Sequence, residues 1–122
     1  MRTRVRAPVV LDADVDRRLP AAHEAALYFV AAEALTNVAK YAKASAVKVT
    51  LHGDDHWTEI AVADDGVGGA RAEDGSGLRG LGDRVEALGG RLTLASTRGH
   101  GTTVRARVPV ATANAAVVSA LA

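Results

Sequence analysis

The 122-residue chain has no cysteine, which excludes disulfides, a thiol nucleophile and a cysteine-ligated zinc, and fits a reducing compartment. Aromatic residues make up only 3%, too few for a base-stacking platform on single-stranded nucleic acid. Neither sign of charge prevails: Lys+Arg 15 against Asp+Glu 14 leaves +1, so no strong field points to nucleic acid or an anionic membrane. No apolar run approaches the roughly 18 residues of a membrane span, and the basic start MRTRVRAPVV lacks the apolar core of a secretory signal. What is present, 48% hydrophobic and 24% charged residues, is the composition of an ordinary globular domain. The length suits one core that buries roughly two-thirds of its unfolded surface, and is too short for a multidomain enzyme.

Glycine is the uneven residue, since 11 of the 12 fall between Gly66 and Gly101. Around this stretch, residues 5–11 read as a short strand that Pro8 favours at a sheet edge, and Asp12 to Pro20 read as an exposed connection. From Ala21 to about Ala44, Leu27, Val30, Ala34, Leu35 and Val38 recur at helical spacing. Val47, Val49 and Leu51 alternate with polar residues, and Trp57 to Ala63 follow after a Gly-Asp-Asp turn, predicting a hairpin with Ile60 and Val62 inward. Asp64 to Gly77 is a polar connection, long for a compact domain and therefore a candidate mobile loop. Leu78, Leu81, Val85 and Leu88 predict a short helix stopped by Gly89-Gly90. Arg91 to Ser96 and Thr102 to Val108 predict a second hairpin. Residues 1–110 thus form a single domain, and 111–122 an Ala-rich, frayed or weakly helical tail. The expected class is α+β, a two-layer sandwich whose mixed sheet carries helices on one face.

Four segments have residue types suited to chemistry. Glu33, Asn37, Lys40 and Tyr41 share a helical stripe beside the apolar one; such a set can hold a divalent metal and the phosphates it neutralises, although a solvated helix face accounts for the spacing alone more simply. Asp64-Asp65-Gly66-Val67-Gly68-Gly69 follows a strand, so a fixed carboxylate can accept from an amino group while the glycines allow close approach; an ordinary Asp-Gly turn is the plainer reading. Gly75-Ser76-Gly77-Leu78-Arg79-Gly80 opens a helix, where backbone amides suit an anion, or is merely a linker. It is neither a Walker A loop nor a Rossmann turn. Gly99-His100-Gly101-Thr102-Thr103 alone reads as a tight hairpin turn.

Taken in order, E-A-L-T-N-V-A-K-Y-A at 33–42, D-D-G-V-G-G at 64–69, G-S-G-L-R-G-L-G-D-R-V-E-A-L-G-G at 75–90 and G-H-G-T-T-V at 99–104 resemble the four boxes of the ATPase domain shared by gyrase, Hsp90, histidine kinases and MutL. Arg84 to Arg91 and the short lid resemble the catalytic domain of sensor histidine kinases of the nitrate-sensor and DesK-like class, which signal to LuxR-type response regulators. The resemblance covers about residues 20–110 and implies the Bergerat fold, with ATP between the helices and a movable lid at about residues 67–78. It implies that Asn37 coordinates Mg²⁺ with Glu33 close to the metal or its water, these two being the catalytic pair. Lys40 would face the phosphates and Tyr41 the adenine, where many members have histidine. Asp64 would accept the adenine amino group, with Gly66 and Gly68 shaping the pocket and Thr102 assisting through a water. Gly75, Gly77 and Leu78 would offer lid and helix amides to the phosphates, with Arg79 a further charge partner.

The resemblance further implies donation of the γ-phosphoryl group to a histidine on a separate dimerisation domain, for which there is no room before residue 20. His23, His52, His56 and His100 read as surface histidines. The expected protein is a cytoplasmic catalytic domain, monomeric in isolation, without nucleic-acid or membrane contact of its own, whose parent is free to be membrane-anchored. The alternatives are an anti-sigma-factor type serine kinase and a non-catalytic interaction module of the same fold.

Overall fold

The structure, a computed structural model, describes residues 8–15, 18–68 and 77–110. The start of the expected first strand, most of the lid, the 111–122 tail and the side chain of Tyr41 lie outside the described residues.

Five strands form one mixed sheet, in the order β1-β2-β3-β5-β4: β1 (Val9–Ala13), β2 (Val47–Gly53), β3 (Trp57–Asp64), β4 (Arg91–Ser96) and β5 (Thr102–Pro109). β1 runs parallel to β2, and every other pairing is antiparallel. Pro8 precedes an edge strand, where its missing N–H costs no ladder bond. β1 continues to Ala13, because Asp12 and Ala13 pair with Thr50 and Leu51; the exposed connection therefore starts two residues later than the acidic composition suggested.

The strands' alternation decides where the core lies. Val47 and Val49, Ile60 and Val62, and Val104, Ala106 and Val108 are buried on one face, under α1 (Ala21–Asn37) and α2 (Leu78–Ala87). Ala26, Leu27, Val30 and Ala34 of α1, with Leu78 and Val85 of α2, complete this core. The opposite sheet face is open and polar: Arg107 lies 4.2 Å over the Trp57 ring and Arg105 pairs with Glu59 at 2.9 Å. The architecture is α+β with helices on one face, as expected.

Local chemistry sets the helix ends. Glu24, in the first turn of α1, accepts from Leu19 N–H at 3.1 Å and from Arg18 Nε at 2.6 Å, so a carboxylate sits at the positive end of the helix dipole. The ion pair holds the Glu24 carboxyl below its ordinary range, with the Leu19 amide adding to the effect. α2 ends as its glycine pair predicts: Gly89 N–H donates to Glu86 O at 2.9 Å and Gly90 N–H to Val85 O at 3.0 Å, the paired bonds of a Schellman stop. The long helix, in contrast, does not run uniformly to residue 44. At Val38 it widens into one π-helical turn, Val38–Ala42, and Lys43 stops it at φ 51°.

Candidate functional site

The π-turn begins immediately after Asn37, and such turns occur chiefly where a helix must re-aim side chains. Glu33 and Asn37 are half-buried on α1, one turn apart, and Lys40 is exposed on the π-turn. Among the described residues the Asn37 side chain takes no hydrogen bond, leaving its carboxamide oxygen available. Glu33 reaches across to α2: its Oε1 accepts from Gly77 N–H at 2.8 Å. A Cβ on Gly77 would stand 3.3 Å from the Glu33 carboxyl carbon, so glycine lets the carboxylate close on the start of α2. Glu33, Asn37 and Gly77 therefore come together. The Leu78 side chain is buried in the core, which restricts any ligand role to its backbone, and Arg79 is exposed.

A second wall lies at the end of β3. Asp64 is half-buried, and its Oδ1 accepts from Gly66 N–H at 2.8 Å, which fixes the carboxylate and leaves Oδ2 for another donor. Thr102 is its cross-strand partner in the β3–β5 ladder, so the structure brings together two residues 38 positions apart that the resemblance assigned to one base. Thr102 Oγ1 lies 2.7 Å from Ser96 Oγ, which orients the hydroxyl.

The glycine turn at 66–68 is locked to the β4–β5 turn. Gly99 N–H donates to Val67 O at 2.7 Å. Gly68 has φ +68°, and a Cβ there would come 2.0 Å from Thr97 O; Gly101 has φ +80°, and its Cβ would come 2.0 Å from Asp64 O. Both a left-handed backbone and backbone-to-backbone contact therefore require glycine. Gly75 lies outside the described residues.

Sequence reasoning assigned no individual role to three contributors. Asp65 accepts from Ser45 N–H at 2.8 Å, from Ala46 N–H at 2.9 Å and from the Ser45 hydroxyl, tying the end of β3 to the loop after the π-turn. The Ser45 hydroxyl first, then the Ala46 and Ser45 amides, hold the Asp65 carboxyl below the usual carboxylate range. Gly101 and Ser96 are the others; a positive φ at Gly101 was within reach of turn chemistry, whereas the Ser96 contact depends on strand register. One histidine differs from expectation: His23 is half-buried, and its Nδ1 is buried without a hydrogen-bond partner among the described residues. His52 is on the surface as expected, paired with Asp14 at 3.0 Å.

No group of three acidic, histidine or cysteine side chains is gathered among the described residues. Mg²⁺ commonly takes only one or two protein oxygens and completes its octahedron with phosphates and water. The Asn37 carboxamide and the Glu33 carboxylate, one turn apart on α1, could supply oxygens of that kind. The chain thus presents a fixed hydrogen-bond acceptor at the sheet end, and a polar helix face joined to an amide-bearing helix start. That arrangement can hold a base at one end and charged phosphates at the other.

The profile of the histidine kinase-, DNA gyrase B-, and HSP90-like ATPase family matches residues 22–112, and the chain belongs to this family. Its relatives narrow the assignment. The signal transduction histidine-protein kinase/phosphatase UhpB of Salmonella typhimurium is 40% identical over 85 residues, covering 68% of this chain and 17% of that protein. The oxygen sensor histidine kinase NreB of Staphylococcus carnosus is 36% identical over 91 residues, covering 71% and 26%. The histidine kinase domain of the Erythrobacter litoralis EL346 blue-light activated kinase superposes with a TM-score of 0.72 over 88% of this chain and 53% of that one, at 24% identity, a likeness of fold. Within the family, the chain is an ATP-binding catalytic domain of the sensor histidine kinase type. It spans between 17% and 26% of the length of these two relatives.

Proposed function

We propose that this domain binds Mg-ATP and donates the γ-phosphoryl group to a histidine on a separate dimerisation hairpin, upstream of a LuxR-type response regulator in the cytoplasm. The observations that carry the reading are the pairing of Asp64 with Thr102 at the end of the sheet and the closure of Glu33, one turn before Asn37, on the Gly77 amide. Asp64 Oδ2 accepts the adenine amino group, and Gly66 and Gly68 keep the turn close to the base. Asn37 and Glu33 would hold Mg²⁺ through oxygen, Lys40 and Arg79 would add positive charge, and Tyr41 would meet the adenine. Gly75, Gly77 and Leu78 present backbone amides to the phosphates at the start of α2. Mg²⁺, held there, would supply positive charge against the phosphates. The protein's own work is positioning and neutralisation, which dominate phosphoryl transfer. For Gly77 to meet a phosphate, its N–H must leave Glu33, so nucleotide entry and release of this contact are one event.

Incubating the domain with Mg-ATP and a separately expressed dimerisation hairpin of UhpB tests the reading. Acid-labile phosphohistidine on the hairpin is expected. Acid-stable phosphoserine would point to a serine kinase of the same fold, and absence of nucleotide binding to a non-catalytic module.

A further inference from the structure

We infer that Ser96 is a positioning residue for base selectivity: it takes the proton of the Thr102 hydroxyl, so that Thr102 and Asp64 together offer only accepting oxygens to the base. This rests on the nucleotide reading of the sheet end and adds a residue to which that reading gives no part.

Strand register puts the three side chains in one row. Thr102 of β5 is the cross-strand partner of Asp64 of β3 on one side and of Ser96 of β4 on the other. Register partners in antiparallel strands project from the same sheet face, here the face that α1 and α2 cover. The next row on that face, two residues further into the sheet, is Val62, Val104 and Leu94, each in the core or packed against it. An apolar side chain at position 96 would extend that core. Serine instead places a hydroxyl 2.7 Å from Thr102 Oγ1.

The direction of that bond follows from where each proton goes. A hydroxyl has one proton and two accepting lone pairs. Ser96 Oγ also lies 3.4 Å from Gly101 O and donates to it, and this carbonyl is held by Thr97 N–H and by the positive φ of Gly101. With the Ser96 proton on Gly101 O, the short bond to Thr102 is made with the Thr102 proton. The chain from Thr102 through Ser96 to Gly101 O gives both hydroxyls an acceptor, and its members polarise one another. Thr102 then has only lone pairs to offer at the sheet end. Asp64 Oδ1 is filled by Gly66 N–H at 2.8 Å, and Oδ2 of the carboxylate accepts and does not donate.

A base with an amino group at its edge therefore meets two acceptors, directly or through a water that donates to Thr102. A base with a carbonyl at the same position meets two oxygens that disfavour it. Without the Ser96 acceptor, the Thr102 proton is free to turn to such a carbonyl, and the distinction weakens. Ser96 thus acts on the base through Thr102, without touching it.

The test is calorimetric titration of the chain, in Mg²⁺, with the β,γ-imido analogues of ATP and of inosine triphosphate, whose bases carry an amino group and a carbonyl at the same position. Wild type should favour the adenine analogue. Ser96→Ala should narrow that preference about tenfold, with the inosine analogue bound more tightly than by wild type, because the freed hydroxyl donates to its carbonyl. Ser96→Thr keeps an accepting hydroxyl and should keep the preference. Combining Ser96→Ala with Thr102→Val leaves no hydroxyl to turn, so the gain in inosine-analogue binding should vanish. A merely structural role for Ser96 would weaken both analogues together and leave their ratio unchanged, which would overturn the inference. So would a wild type without preference, a Ser96→Thr variant that loses it, or a gain that persists in the double variant. Failure of the nucleotide reading is separable: the wild-type chain would bind neither analogue, or Asp64→Ala would bind the ATP analogue as wild type does.

Discussion

At the residue scale, Gly101 and Asp65 illustrate how unequal neighbouring positions are. Gly101 combines φ +80° with a Cβ path blocked at 2.0 Å by Asp64 O. Gly101→Ala should therefore cost about 2 kcal/mol or more, seen as a lower denaturant midpoint, and should shift Asp64 enough to weaken nucleotide binding. Gly80, whose added Cβ meets nothing within 4 Å, should tolerate alanine with no loss. Asp65 makes a pH prediction. Its carboxyl is lowered on folding by the Ser45 hydroxyl and the Ala46 and Ser45 amides, so its contribution is complete above the unfolded value of about 3.9 and vanishes as pH falls through the lower folded value. Asp65→Asn should melt earlier than wild type at pH 7, with the gap narrowing steadily toward pH 3. A gap independent of pH would place the stabilisation elsewhere. The glycine cluster was visible from composition. The partner of each glycine was not, because Thr97 and Gly68 meet only through sheet register.

At the element scale, α1 serves the core and, through Glu33, the contact with α2. Its inner side was legible from the 3.6-residue period, and Val30, fully buried, lies on it. Val30→Ala should cost about 2 kcal/mol, readable in chemical denaturation. The π-turn at Val38–Ala42 was not legible, since its residues are ordinary helix formers and local propensity does not report a widened turn. The tie between α1 and α2 was equally hidden. Glu33 and Gly77 are 44 positions apart, and single-sequence spacing relates only residues on the same element. Glu33→Ala removes the acceptor for the Gly77 amide, so that amide should exchange with solvent about tenfold faster in the nucleotide-free protein, an effect worth about 1.4 kcal/mol of local protection. Glu33→Gln keeps an accepting oxygen and should retain most of the protection. Unchanged Gly77 exchange in Glu33→Ala would show that the contact is not maintained in solution.

At the scale of the whole molecule, the sheet order β1-β2-β3-β5-β4 determines what the four motifs have in common. β3 and β5 are neighbours, so the acidic turn and the last glycine turn meet at one sheet end. α1 and α2 lie side by side, so the asparagine helix faces the start of the glycine helix. The two-layer class followed from alternation and periodicity alone. The parallel pairing of β1 did not, because strand direction has no local signature. The near-zero net charge now has a use as well: with no global field to attract nucleotide, affinity has to come from placed groups. On the proposed reading Asn37 and Asp64 are two of those groups, and removing either should suffice. Calorimetric titration of the domain with a non-hydrolysable ATP analogue and Mg²⁺, repeated on Asn37→Ala and Asp64→Ala, tests this directly. The account predicts saturable one-site binding by the wild type and at least about tenfold weaker binding by each variant, roughly 1.4 kcal/mol or more. Wild-type affinity in both variants would contradict it.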